Sequence, residues 1–226
     1  MSKSMERDLR EEICEVGRRV YNLGFVAGND GNISARLSRD RILCTPTGVS
    51  KGFLTPDMLV ECDLDGRQIA GGLKVTSEIL MHVESYKLRS KLGGIVHAHP
   101  PTATGFAVAG IELTERILPE VVVNLGGVPL AAYGTPGGPE IFRPLIPFIK
   151  GNFDAVLLAN HGAITLGSDV MDAHFKMETV ELCARITLVA RQLGNTNKLH
   201  DIEVEALRKR FNAYDKPSCF DRPIPS

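Results

Sequence analysis

Two apolar segments, each leading into histidine, constrain the fold of this chain more than any other feature. The segment GGIVHAH ends in His97 and His99 and runs into two prolines, and AVLLANHG contains His161 followed by a glycine. Residues two apart on a strand point to the same face, so His97 and His99 would project together. Three imidazoles at strand ends predict a Zn²⁺-type site with one position open for substrate, although a His-x-His pair alone is a weak signal.

Helices surround these strands. An amphipathic helix near the N-terminus is predicted by apolar residues at steps of four and three: Leu9, Ile13, Val16, Val20 and Leu23. A second helix is predicted over Ser77–Leu88 with Thr76 or Ser77 as its N-cap, and the longest helix begins near Asp169. Because helices lie at both ends and the strands between them are irregularly spaced, we expect residues 1–226 to form one layered α/β domain with a mixed sheet.

Charge and cysteine content bear on the class of protein and its partners. The formal net charge is −1 over 226 residues and lysine and arginine form no cluster, so nothing predicts a nucleic-acid or membrane partner. The five cysteines are scattered and form no C-x-x-C pair, which predicts neither a disulfide framework nor a thiolate zinc site. Since no apolar signal segment and no stretch of about 18 apolar residues occurs, we expect a soluble cytoplasmic protein.

Three short turns carry groups that suit an anion. The TSE segment at the start of the second predicted helix offers hydroxyls and unpaired backbone N–H groups, as phosphate sites do, although an ordinary N-cap has the same composition. GNDGNIS and TPTG add further donors, and neither is a P-loop because no G-K-[S/T] follows. The candidate anion-binding residues are Asn32, Thr47, Gly48, Thr76 and Ser77.

Glu78 completes the TSE segment. In the first turn of the predicted helix, its carboxylate would be stabilised by the helix dipole. It could serve only that purpose, or it could be a general base aimed at a metal-bound substrate. His82 lies one turn later and could pack against Glu78 or orient it, and a structural role is the prediction for this histidine.

Taken together and in this order, GNDGNIS, TPTG, TSE, HAH and NHG resemble the class II aldolase/adducin family, over roughly residues 8–215. The resemblance implies a three-layer α/β/α fold with a mixed, largely antiparallel sheet. It also implies a homotetramer with active sites between neighbouring subunits. The implied activity is that of a metal-dependent lyase. Such an enzyme cleaves a phosphorylated ketose, for example L-fuculose 1-phosphate, to dihydroxyacetone phosphate and an aldehyde through a Zn-stabilised enediolate.

The resemblance further implies a role for each matched residue. His97, His99 and His161 would bind one Zn²⁺ per subunit, although three imidazoles also accept Mn²⁺, Co²⁺ or Fe²⁺. Glu78 would be the catalytic acid/base, and Tyr214 in the segment RFNAY would donate a proton. The substrate phosphate would be held by Asn32, Thr47, Gly48, Thr76 and Ser77.

One departure from the family pattern leaves the reaction open. The segment RILPEVVVNLGG lacks the tyrosine that the aldolases carry there, and Glu120 is the candidate to replace it. The same region lacks the aspartate that the epimerases need. The alternatives are a sugar-acid phosphate decarboxylase or a pentulose-phosphate 4-epimerase on this scaffold. A non-catalytic adducin-like scaffold is a third possibility, although the candidate metal ligands and Glu78 are all present.

Overall fold

A mixed sheet separates two layers of helices in the computed structural model, which describes residues 3–217 and 219. Its strands are β1 (Asn32–Arg36), β2 (Arg41–Cys44), β3 (Val60–Asp63), β4 (Gln68–Ala70), β5 (Gly94–Ala98), β6 (Leu130–Ala131), β7 (Ala155–Leu158) and β8 (Gly162–Gly167). They lie in the order β4-β3-β2-β1-β5-β8-β7-β6. Only β6 and β7 pair in parallel, and every other neighbouring pair is antiparallel.

The helices divide between the two faces of the sheet. They are α1 (Lys3–Asn22), α2 (Ile79–Leu88), α3 (Pro101–Val108), α4 (Pro119–Asn124), α5 (Ile146–Lys150), α6 (Val170–Gln192) and α7 (Asp201–Phe211). One apolar core contains buried residues of α1, α3, α4 and α6, such as Ile13 and Met177. The other contains buried residues of α2 and α5, such as Met81 and Ile149. The three-layer α/β/α fold with a mixed, largely antiparallel sheet is therefore confirmed.

The centre of the sheet is covered on both faces. All five residues of β5 are buried, and its side chains alternate between the two cores, with Val96 in the first and Ile95 in the second. A strand buried on both faces reads as a continuous apolar run, which is the pattern of GGIV. His97 pairs with Asn32 on one neighbouring strand and with Ile164 on the other. The candidate site is thus built at the most enclosed part of the sheet.

The start of α2 differs from the prediction. The helix was expected to begin at Ser77, but it begins at Ile79, and Glu78 occupies the N-cap position. The reason is local, because the Glu78 backbone N–H reaches the Thr76 hydroxyl at 3.4 Å and the Ile79 N–H bonds the Thr76 carbonyl at 3.3 Å. Thr76 and Ser77 therefore belong to the turn before the helix. Glu78 has φ −100° and ψ 19° rather than a first-turn helical conformation.

The first and the longest helices, α1 and α6, match the sequence pattern. The amphipathic N-terminal segment is α1, and Gly24 follows it with a positive φ of +68°. Asp169 caps α6 by accepting from the Asp172 N–H at 2.7 Å. Within residues 3–217 and 219, no helix is both long enough and apolar enough to cross a membrane.

Candidate active site

Three histidine side chains meet at the ends of β5 and β8. His97 lies within β5, His99 directly follows that strand, and His161 lies in the turn between β7 and β8. One ring nitrogen from each residue lies within 4.8 Å of the other two. The Nε2 atoms of His97 and His99 are 3.3 Å apart. This separation suits nitrogen ligands that surround one ion at about 2.0–2.1 Å.

Two glycines allow these segments to approach one another. A Cβ at Gly162 would lie 2.5 Å from the Ala98 carbonyl oxygen and 2.6 Å from His99 Cδ2. A Cβ at Gly31, where φ is +70°, would lie 2.8 Å from the His97 carbonyl oxygen. Any side chain at either position would force the strands apart. Gly162 in NHG and Gly31 in GNDGN are therefore geometric requirements of the site.

His97 and His99 are held as neutral imidazoles. His97 Nδ1 lies 2.9 Å from the Ala163 carbonyl oxygen, which can only accept, so Nδ1 carries the proton and Nε2 presents its lone pair to the cluster. Burial, followed by repulsion from His161 and His99, lowers the pKa of His97 well below its ordinary value. Burial and His161 lower the pKa of His99 in the same way. Neutral rings are the form that binds a metal.

The Glu78 carboxylate faces the same cluster. Its Oε2 lies 3.4 Å from His97 Nε2, and its Oε1 lies 3.5 Å from His161 Nε2. The side chain is buried, and Oε1 has no hydrogen-bond partner among the residues that the structure describes. The N-cap position of α2 aims the carboxylate at the histidines instead of at its own helix.

These donors fit a divalent metal. Glu78 Oε1 and His161 Nδ1 are buried without a hydrogen bond in the described part of the chain. An unpaired buried polar atom costs roughly 1–3 kcal/mol, so this arrangement is unfavourable unless a further group satisfies it. Three imidazoles with a carboxylate alongside are a typical set of ligands for such an ion. His97, His99 and His161 could therefore hold a metal.

A polar cavity of about 220 Å³ lies beside the histidines. The bridge between Pro46 and Val75 brings the TPTG turn against the TSE turn, and the Thr47 N–H donates to the Lys74 carbonyl at 3.0 Å. Gly48 lies in the same turn with φ +74° but does not line the cavity. The lining residues are Asn29, Asp30, Gly31, Asn32, Pro46, Thr47, Lys51, Thr76, Ser77, Glu78, His99 and His161.

Two charged residues of the cavity were not predicted. Lys51 is 1% exposed, and its Nζ donates to the carbonyls of Asn29 at 2.9 Å and Val49 at 2.6 Å. Burial lowers the pKa of Lys51 to about 8. Asp30 Oδ2 lies 3.7 Å from His99 Nδ1. A lysine and an aspartate in polar turns normally indicate solvent exposure, so the sequence carries no signal for either residue.

Tyr214 and Glu120 lie elsewhere within this chain. The Tyr214 side chain is 56% exposed, and its hydroxyl donates to Glu205 Oε1 at 2.9 Å. Glu120 is exposed in the first turn of α4. Neither residue lines the cavity, so a role for Tyr214 in the site requires a second subunit.

Comparison with known proteins gives a consistent result. A family profile described as Class II Aldolase and Adducin N-terminal domain matches residues 11–188. The chain is 33% identical over 180 residues to L-fuculose phosphate aldolase of Methanocaldococcus jannaschii, covering 80% of this chain and 96% of that protein. It is 32% identical over 189 residues to 3-oxo-tetronate 4-phosphate decarboxylase of Escherichia coli K12, covering 82% and 88%. A solved structure of L-fuculose 1-phosphate aldolase superimposes with a TM-score of 0.83 at 27% identity, covering 94% of this chain and 98% of that one.

Proposed function

Because this chain belongs to the class II aldolase and adducin family, we propose that it is a metal-dependent aldehyde-lyase acting on a phosphorylated ketose. The products would be dihydroxyacetone phosphate and an aldehyde. The observation that carries this proposal is the convergence of His97, His99, His161 and Glu78 beside a polar cavity. A scaffold that had lost catalysis would not need to keep these costly buried groups together.

The three histidines would hold one Zn²⁺, because neutral imidazoles in a cluster with an open position suit that ion. When bound, the metal would act as a Lewis acid that stabilises negative charge on the substrate oxygens. Glu78 would move the proton at the carbon next to the substrate carbonyl. Its unpaired Oε1 is the atom available for that transfer.

The turns that line the polar cavity would bind the substrate phosphate. Residues from the loops before β1, after β2 and before α2 line this cavity. Holding the phosphate at a set distance from Glu78 would keep the reacting carbons in register. The residues assigned to this task are Asn32, Thr47, Gly48, Thr76 and Ser77.

A homotetramer would complete the site. Tyr214 is exposed on the segment after α7, where its hydroxyl bonds only to the nearby Glu205 carboxylate among the hydrogen bonds described. In the proposed assembly, the Tyr214 of one subunit reaches the cavity of its neighbour, where it would take the proton of the hydroxyl that becomes the aldehyde oxygen on cleavage and donate that proton back in the reverse condensation. We also propose that residues 1–226 form one domain and that the protein is cytoplasmic.

The proposal can be tested without knowledge of the aldehyde. Metal-loaded protein is incubated with dihydroxyacetone phosphate in D₂O, and deuterium entering the carbon next to the carbonyl is followed by NMR. Exchange that disappears with a chelator and in Glu78→Gln is the expected result. No exchange by protein shown to contain metal would contradict the aldolase assignment.

A decarboxylase is the second candidate, supported by the 32% identity to 3-oxo-tetronate 4-phosphate decarboxylase. Loss of CO₂ from a 3-oxo acid leaves an electron pair on the carbon next to a carbonyl, as aldol cleavage does. The same site could therefore stabilise the charge, and Glu78 could protonate that carbon. Release of CO₂ from 3-oxo-tetronate 4-phosphate, without deuterium exchange into dihydroxyacetone phosphate, would favour this reaction.

A further inference from the structure

A series of buried hydrogen bonds leads from Glu78 into the protein. Asn32 Nδ2 lies 2.7 Å from Glu78 Oε2, and Asn32 Oδ1 lies 2.5 Å from His82 Nε2. On the far side of the ring, His82 Nδ1 lies 2.6 Å from Ser34 Oγ. Ser34 Oγ in turn lies 3.0 Å from the Tyr86 hydroxyl. Five side chains are therefore joined end to end.

The directions of these bonds follow from chemistry. The Asn32 amide nitrogen donates to Glu78 Oε2, so the Asn32 carbonyl oxygen faces His82. That carbonyl only accepts, so His82 carries its proton on Nε2 and accepts at Nδ1. Ser34 must then donate to His82, and its oxygen accepts from Tyr86. Every donor in this series of hydrogen bonds therefore points toward Glu78.

Two elements, α2 with its N-cap and β1, supply these five side chains. Glu78, His82 and Tyr86 are spaced four residues apart along the start and body of α2, so they stack on one side of the helix. Asn32 and Ser34 are two residues apart on β1 and face the same side of the sheet. All five residues are buried, with none more than 8% exposed. An unpaired polar group is unfavourable in such an environment.

The amide of Asn32 has two N–H groups, and only one is used by Glu78. Asn32 also lines the cavity, so its second N–H is available to a bound anion. An asparagine with free rotation about its last bond could instead present its carbonyl to Glu78 and to the phosphate, and both contacts would be repulsive. The orientation of this one amide therefore matters to two parts of the site.

We propose that His82, Ser34 and Tyr86 are positioning residues that lock the Asn32 amide with its N–H groups toward Glu78 and the substrate phosphate. This inference rests on the proposed roles of Glu78 and Asn32. His82, in the middle of this series of hydrogen bonds, is neutral because burial lowers its pKa to about 3, so the direction of the bonds holds at neutral pH. The structural role predicted for His82 is thereby extended to the orientation of the site.

The decisive experiment compares two replacements of similar length at position 82. In His82→Gln, a side-chain N–H can still donate to the Asn32 carbonyl, whereas in His82→Met no donor remains. We expect His82→Met to lower kcat for deuterium exchange by about 10- to 100-fold, as loss of a supporting hydrogen bond does around other sites, and to raise KM for dihydroxyacetone phosphate. His82→Gln should recover most of this loss.

Variants at Ser34 and Tyr86 test the rest of this series of hydrogen bonds. They also keep the proposal testable if His82→Met does not fold. Ser34→Ala and Tyr86→Phe remove one hydroxyl each, and the effect on kcat should be larger for Ser34→Ala because Ser34 contacts His82 directly. The matched control is Ser85→Ala, which removes a buried hydroxyl from α2 that bonds only the Met81 carbonyl. It should leave kcat within about twofold of wild type. Equal kcat values in His82→Met and His82→Gln, or a Ser34→Ala variant no slower than Ser85→Ala, would overturn the proposal.

A measurement on the unmodified protein separates this inference from the proposed function. The ¹⁵N chemical shifts of His82 should show a neutral ring protonated at Nε2 between about pH 5 and pH 8. A ring protonated at Nδ1 would require the Asn32 amide to be reversed and would contradict the proposed orientation of that amide. This readout does not depend on activity, so an inactive protein with the expected tautomer would contradict only the lyase assignment.

Discussion

The strand ends around His97 and the segment after α7 around Tyr214 are organised in opposite ways. His97 is 1% exposed and is fixed by the register of β5 with β1 and β8. Tyr214 is 56% exposed and is attached through a neighbouring carboxylate. The nearby Lys216 ammonium bonds Asp154 Oδ2 at 2.9 Å. The first region is positioned by packing within one chain, and the second by polar contacts at its surface.

This difference shows which candidate roles a single chain can support. A residue inside the sheet has one possible environment, so its neighbours reveal what it can bind. An exposed residue on a terminal segment keeps its hydroxyl available to another subunit. The histidines can therefore be interpreted from this chain alone, whereas the role of Tyr214 depends on assembly.

The largest expected effect is the loss of metal affinity when a histidine of the sheet is replaced. His97→Ala removes one of three metal ligands, and we expect metal affinity to fall by more than about 100-fold, beyond the loss seen when only a supporting contact is removed. Deuterium exchange should fall to the level of metal-free protein. Metal content after dialysis against a weak chelator measures the effect. His200→Ala, at the exposed start of α7, is the control, and full metal occupancy in His97→Ala would end the ligand assignment.

Glu78→Gln should separate metal binding from proton transfer. The amide keeps the size of the carboxylate, and the three histidines remain, so the metal should stay bound. The exchange rate should fall by about 10²- to 10⁴-fold, the usual contribution of a general acid or base. Glu11→Gln, at an exposed carboxylate on α1, should have wild-type rates. A Glu78→Gln protein that exchanges normally would show that another group moves the proton.

Asp154→Asn tests the attachment of the C-terminal segment. Asp154 is 4% exposed and contacts Arg89, Lys176 and Lys216 at 2.7–2.9 Å. Burial acts to raise the pKa of Asp154, but Lys176 and Lys216 outweigh it and hold the pKa below its ordinary value. The variant should lose about 3 kcal/mol of unfolding free energy at neutral pH, as other broken buried pairs do.

The pH dependence of that loss has a definite sign. The native pKa of Asp154 is lowered, so its contribution is fully present above the unfolded value of about 3.9 and disappears as pH falls through the native pKa. The difference between wild type and Asp154→Asn should therefore shrink below about pH 4 in urea unfolding. Asp65→Asn, which removes an exposed pair with Lys87, should change little at any pH. A difference that stays constant into acid would contradict the ion-pair account.

The smallest expected effect is at Tyr214. Tyr214→Phe should leave the melting temperature unchanged, because the ring is exposed. In the assembled enzyme it should lower kcat for aldol cleavage by about tenfold, less than Glu78→Gln, because water can also accept the proton of an exposed hydroxyl. Deuterium exchange, which needs no proton on the aldehyde, should be unaffected. Unchanged cleavage in Tyr214→Phe, compared with the exposed control Tyr133→Phe, would remove the proton-donor role.

Much of the site could be predicted because its residues follow strands with clear apolar patterns. GGIV and AVLL indicate buried strands, and a histidine that follows such a strand lies at the edge of the core. The start of α2 could not be placed as well, because the Thr76 hydroxyl forms a turn that delays the helix by two residues. Lys51 gave no signal, since its burial depends on carbonyls of two other loop residues.

The sequence by itself determined the buried strands next to the histidines, the long helices, and the histidine, glutamate and threonine motifs with their order along the chain. Local propensity and apolar periodicity extend over only a few residues, and these features need no more than that. Only the tertiary structure decided that Glu78 faces His97 and His161, that Lys51 is buried in the cavity wall, and that His82 lies within hydrogen-bonding distance of Asn32. Those relations join residues on separate elements, and they exist only once β1, β5, β8 and α2 have packed together.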